Sequence, residues 1–159
     1  MKAYSAKEIK DELKTLPPNQ LLELIQVLIR FKKENKELLS YLLFESQDEE
    51  TFIQSVQLQI DGLFEEINTN SYFYMRKTAR KILNLIKKYV RFSKKKETEI
   101  ELLIYYCQKL NQLRPSIKKS KVLFNIYQRQ ILSIEKSISL VHEDLQHDYI
   151  FELNQLKQD

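Results

Sequence analysis

YFYMRKTARKILNLIKKYVRFSKKK, residues 72–96, holds ten lysines and arginines and no acid. Its apolar residues return every three or four positions, the spacing of one helix face. With Ala79 at the origin and 100° per residue, Tyr72, Met75, Ile82, Leu83, Ile86 and Val90 all fall within about 60° of it. That is a core-facing stripe. Arg76, Lys77, Arg80, Lys81, Lys87, Lys88 and Arg91 share one arc on the other side. Tyr74, Leu85 and Phe92 form a second apolar ridge, as expected of a helix that touches two neighbours. A 3.6-residue period held from Tyr72 to Phe92 decides the local structure, and the rest of the chain follows the same rule.

The 159 residues include one glycine, three prolines and no tryptophan. Long unbranched side chains lose little freedom in a helix, and turn formers are nearly absent. A sheet protein of this length needs many tight turns, and one glycine cannot supply their positive-φ positions. The fold class read from this is all-α, in a single helical domain over residues 1–159. Cys107 stands alone, so no intrachain disulfide forms, which suits a reducing cytoplasm. The start, MKAYSAKEIKDELK, is charged where a signal peptide is apolar. Apolar runs such as LLF (42–44) and LLIYYC (102–107) are too short to span a membrane. The expectation is a soluble cytoplasmic protein with no membrane partner.

Ser5-Ala6-Lys7-Glu8 has the form of a capping box and opens a short helix to about Leu13. Pro17-Pro18 ends it and pre-sets the next, whose stripe of Leu21, Leu22, Ile25, Leu28 and Ile29 runs to about Phe31. The polar KKENKE interrupts the pattern before Leu38, Leu39, Leu42 and Leu43 begin a short third helix. Acids in SQDEE (46–50) suit the start of a fourth, carried by Phe52, Ile53, Val56, Ile60, Leu63, Phe64 and Ile67 to the turn Asn68-Thr69-Asn70. The basic helix follows from about Ser71 to Phe92. A sixth from about Glu97 shows Ile100, Leu103, Ile104, Cys107 and Leu110 and stops at Arg114-Pro115. The last stretch, from about Ser120, is expected to break near Ser139–His142, because unbroken helices beyond ~25 residues are unusual in compact domains. Six to eight mostly antiparallel helices with short connections form an irregular array, solenoid-like in the manner of HEAT or TPR pairs but without a fixed repeat. Gly62, inside the fourth helix, reads as a close crossing or a kink.

The segment LLELIQVLIRFKKENKELLSYLL (21–43), with the later RKILNLIKKY (80–89), resembles a bacterial family of small all-helical proteins that is a domain of unknown function. The resemblance implies the helical fold and brings no activity, cofactor or catalytic residue with it.

Charge is distributed unevenly. Residues 38–75 carry a net −7 and residues 76–96 a net +10. An aligned row of cations binds phosphates with salt-sensitive affinity, and Tyr72, Phe73 and Tyr74 offer stacking faces beside it. Against this, an antiparallel hairpin about Asn68-Thr69-Asn70 would set Asp61, Glu65 and Glu66 near Arg76, Lys77 and Arg80. It would also set Glu45, Asp48, Glu49 and Glu50 near Lys87, Lys88 and Arg91. The two blocks would then neutralise each other, which is the favoured reading, since no nucleic-acid motif accompanies the charge.

Catalytic candidates are sparse. HEDLQHD (142–148) holds both histidines five residues apart, so they diverge on a helix, where a zinc-protease pair needs a spacing of four. Glu143 or Asp144 with His147 could share a face, yet a solvated helix start explains the stretch more simply. Cys107, on an apolar stripe without a nearby cation, reads as a small buried hydrophobe. No glycine loop or nucleophile elbow is present. The sequence therefore points to a protein with no catalytic, cofactor or metal residues that binds another protein. The alternative is nucleic-acid binding through Arg76, Lys77, Arg80, Lys81, Lys87, Lys88 and Arg91.

Overall fold

The computed structural model describes residues 1–158. Among them are eight α-helices and no strand, so the all-α reading holds. The described residues gather into two compact units, one of residues 1–44 and one from residue 45 onward.

In the first unit, α1 (Ala6–Leu13) begins with the expected capping box: the Glu8 amide donates to Ser5 Oγ at 3.3 Å and the Ser5 amide to Glu8 Oε2 at 2.8 Å. The Ser5 hydroxyl, donating to Glu8 Oε2 at 2.6 Å, and the Ser5 amide hold the Glu8 carboxyl below its ordinary range. Helix α2 (Pro18–Phe31) opens on proline at its first position, where the missing N–H costs nothing. It ends at Lys32, whose backbone is extended, and α3 (Lys33–Ser40) starts at once and packs on α2. This helix was expected only from Leu38. The polar KENKE (33–37) is helical, with Glu34 at the positive helix end and Asn35 Nδ2 donating to the Leu28 carbonyl at 2.8 Å. The apolar pattern had marked a packing face rather than a start. A π turn, Tyr41–Glu45, follows. Tyr41 is the one buried side chain of residues 1–44.

The second unit has five helices. In α4 (Glu49–Glu65), Asp48 caps the start by accepting from the Thr51 amide at 3.1 Å and its hydroxyl at 2.7 Å. Helix α5 (Tyr72–Ser93) is capped by Ser71 and ends at Lys94, whose φ of 59° is left-handed. Helix α6 (Lys96–Gln112) follows, then a 3₁₀ turn (Ile117–Lys119), α7 (Lys121–Ile138) capped by Ser120, and α8 (Glu143–Gln158). The break expected at 139–142 is there. The principal contacts join each helix to the next, and α4 to α6, α5 to α7 and α6 to α8.

Helix α6 is the centre. It buries Thr98, Ile100, Leu102, Leu103, Ile104, Tyr106, Cys107 and Leu110, an apolar surface wide enough to meet several neighbours. Tyr106 is wholly buried, and its hydroxyl donates to the Ala79 carbonyl at 2.9 Å, so the polar atom has a partner. Val56, Ile60, Met75, Ile82, Ile86, Leu123 and Ile134 complete the core at zero exposure. Each such side chain contributes about 1.5–3 kcal/mol by leaving water. Gly62 marks no close crossing: a Cβ built there meets nothing within 4 Å.

Candidate functional site

Helix α5 presents its cations as the wheel predicts. Lys77, Arg80, Lys81, Lys87 and Arg91 are exposed and Arg76 and Lys88 half-buried, opposite the buried Met75, Ala79, Ile82 and Ile86. The acids of α4 do not meet Lys77, Arg80 or Lys87 in the way the hairpin suggested. Helices α4 and α5 do pack, through an edge-on Phe52–Tyr89 contact (5.8 Å between centroids) and a bond from the Tyr89 hydroxyl to Gln59 at 3.0 Å. Asp61 turns to α6, where it meets Lys109 Nζ at 2.6 Å and the Tyr105 hydroxyl at 2.7 Å. Burial pushes its carboxyl up, but these hydrogen bonds and the Lys109 charge outweigh burial and hold it below its ordinary value. Glu49 accepts from Ser93 at 2.5 Å, Thr98 at 2.6 Å and Lys95 at 2.9 Å, which ties the start of α4 to the α5–α6 junction. Among the described residues Lys77, Arg80, Lys81 and Lys87 meet no carboxylate.

The three aromatics at the head of α5 separate. Tyr72 is committed to structure, its hydroxyl donating to the Ser116 carbonyl at 2.9 Å. Phe73 is 59 % exposed and meets Tyr74 edge-on at 5.4 Å, with the Arg76 guanidinium 5.4 Å from its ring centre. Phe73, Arg76, Lys77, Arg80, Lys81 and Asn84 line a shallow cleft of about 460 Å³ with no acid in its wall.

A second surface lies in residues 21–44. At 100° per residue, the apolar side chains of α2 span about 220° of its circumference, interrupted by Gln20 in the first turn, with Asn19, Glu23, Gln26 and Arg30 forming the polar strip. The sequence stripe, which ran to about Phe31, missed Leu24 and Val27, and the narrowness of that polar strip was the signal for them. None of the α2 side chains is buried.

HEDLQHD brings nothing together. His142 precedes α8, 3.3 Å from Asp144, and His147 is exposed one turn on. Among the described residues no three His, Cys, Asp or Glu converge as metal ligands. Cys107 is fully buried, and burial pushes its thiol well up. On the same helix, burial and the neighbouring charges of Glu152, Glu50 and Glu97 raise the Glu101 carboxyl although the Tyr149 hydroxyl, 3.0 Å away, opposes them. No described helix is long and apolar enough to cross a membrane. Comparison with family models, with curated proteins and with solved structures finds no match. The resemblance read from residues 21–43 and 80–89 rests on those residues alone.

Proposed function

We propose that this chain is a non-enzymatic helical protein that binds another protein through α2 and the π turn that follows α3. One observation carries the reading. Leu24, Val27, Leu28 and Phe31 stand at i, i+3, i+4 and i+7 on one face of α2, 43 %, 62 %, 56 % and 79 % exposed. This is the pattern by which an amphipathic helix enters an apolar groove. Leu42, Leu43 and Phe44 add exposed apolar surface in the same unit. Contiguous apolar surface of this kind marks an interaction site. A lipid surface fits less well, because interfacial helices carry a Lys- and Arg-rich polar face and that of α2 has one acid and one base. The partner is expected to offer an apolar groove that receives about two turns of helix.

The test pairs the wild type with Val27→Glu/Phe31→Glu, a change at exposed positions that leaves helicity intact. Affinity capture from the native cell should yield a stoichiometric protein retained by the wild type and lost from the variant. Equal retention by both proteins rejects the reading. Sedimentation of the purified wild type adds a control: a dimer abolished by the same variant makes the occupant a second copy of this chain rather than another protein.

A further inference from the structure

We infer that the basic face of α5 is a second, separate binding surface, and that it takes single-stranded nucleic acid. The face is long: from Phe73 to Arg91 it runs about 27 Å along the helix. No acid interrupts residues 72–96, and Lys94 continues the run past the helix end, where Lys95 and Lys96 pair with Glu49 and Glu99. Four of its cations, Lys77, Arg80, Lys81 and Lys87, meet no carboxylate among the described residues, while Asp61 turns to Lys109 of α6, Asp48 caps α4 and Glu49 pairs with Lys95 at the far end of the run. A row of exposed charge of one sign is complementary to a polyanion, and phosphate groups release their counterions to it.

Charge alone would suit a duplex, an acidic protein or a lipid surface. Phe73 decides among them. It stands in the middle of the cationic arc, 59 % exposed, fixed by Tyr74 at its edge and by Arg76. The same cleft gathers its ring, three exposed cations and the Asn84 amide. A base can stack on the ring while the flanking phosphates reach Lys77, Arg80 and Lys81, and the amide can both donate to and accept from a base edge. A duplex keeps its base faces covered and leaves Phe73 unused, so an unpaired strand is the better occupant.

The experiment is fluorescence anisotropy with a labelled 15-nucleotide homopolymer and the full chain at 50 and 200 mM salt. Four phosphate contacts predict a log–log salt slope of about −3 and roughly fiftyfold weaker binding at the higher salt. Lys77→Gln/Arg80→Gln/Lys81→Gln should reduce the slope by about 2. Phe73→Ala should weaken binding roughly tenfold and leave the slope unchanged, since stacking carries no counterions. All four positions lie on the surface, so melting should not move. If the triple variant melts early, Arg80→Gln and Lys87→Gln singly should each lower the slope by about 0.7. Val27→Glu/Phe31→Glu should bind the oligonucleotide like the wild type, which separates this surface from the one on α2. Four results would overturn the proposal: no binding at 50 mM salt, binding indifferent to the glutamine variants, a blunt duplex bound as tightly and unaffected by Phe73→Ala, or preferential capture by anionic vesicles.

Discussion

Helix α2 has eight apolar residues in fourteen and buries none of them, whereas α6 buries eight of its seventeen residues. Both form for local reasons, through good helix formers and a sound first turn. Their fates differ because α6 has α4, α5, α7 and α8 around it, and α2 has α3 as its packing partner within its unit. Amphipathic pattern states how much surface a helix must cover. It does not state whether the chain itself supplies the cover, and α2 is where it leaves that surface open.

The strongest way to break this contrast is to truncate one side chain in each helix. Leu102→Ala in α6 removes a fully buried side chain and should cost about 2–5 kcal/mol, lowering the melting temperature by roughly ten degrees. Val27→Ala in α2 should stay within about 0.5 kcal/mol of wild type. Urea titrations of the two variants measure both values, and equal losses would mean that the α2 face is not the open surface described.

A smaller effect sharpens how α6 is held. Asp61→Asn keeps the shape but removes the charge that Lys109 and Tyr105 meet, and it should cost about 1 kcal/mol at neutral pH for a carboxylate still 30 % exposed. Because the folded-state carboxyl is held low, its contribution is fully present above the unfolded value near 4 and fades as pH falls through the folded one. The gap between wild type and variant in thermal melts should therefore close below about pH 4. A gap that is constant with pH would assign the effect to something other than the ion pair.

The smallest change has the opposite sign. Gly62 lies in α4 with negative φ and open space around its α-carbon. Gly62→Ala should stabilise by about 0.5–1 kcal/mol, through lost freedom in the unfolded chain. Calorimetry showing a loss would restore the close crossing that the sequence suggested.

What the sequence made legible was local. Ser5 with Glu8, Asp48, Ser71 and Ser120 announce helix starts because a short oxygen side chain can reach an amide two or three residues on, whatever the rest of the chain does. The gap at 139–142 was legible from helix length. The start of α3 was hidden, since its first turn is stabilised by Glu34 and Asn35 rather than by apolar residues. Leu102 and Tyr106 lay off the stripe assigned to α6, because one stripe describes a helix with one neighbour and α6 has four. The cationic arc of α5 could be drawn to the residue, but whether it was covered depended on Asp61, and its choice of Lys109 lies 48 positions away in the chain. Exposure at Phe73 was equally out of reach, for the spacing that makes a residue apolar says nothing of what stands opposite it.

The turn from α5 into α6 has a different consequence. Lys94 is the only described residue in the left-handed region, in a chain whose single glycine lies elsewhere. A glycine there would avoid a backbone penalty of about 1–2 kcal/mol. The lysine instead places a positive charge at the negative end of the α5 dipole and begins the run Lys94-Lys95-Lys96. Backbone comfort and surface potential thus pull in opposite directions at one position, and the chain has settled on the potential. That leaves thermostability in reserve: a single codon separates a sturdier protein from a more cationic one, and improvement in heat resistance at this turn would come at the expense of whatever the charge attracts.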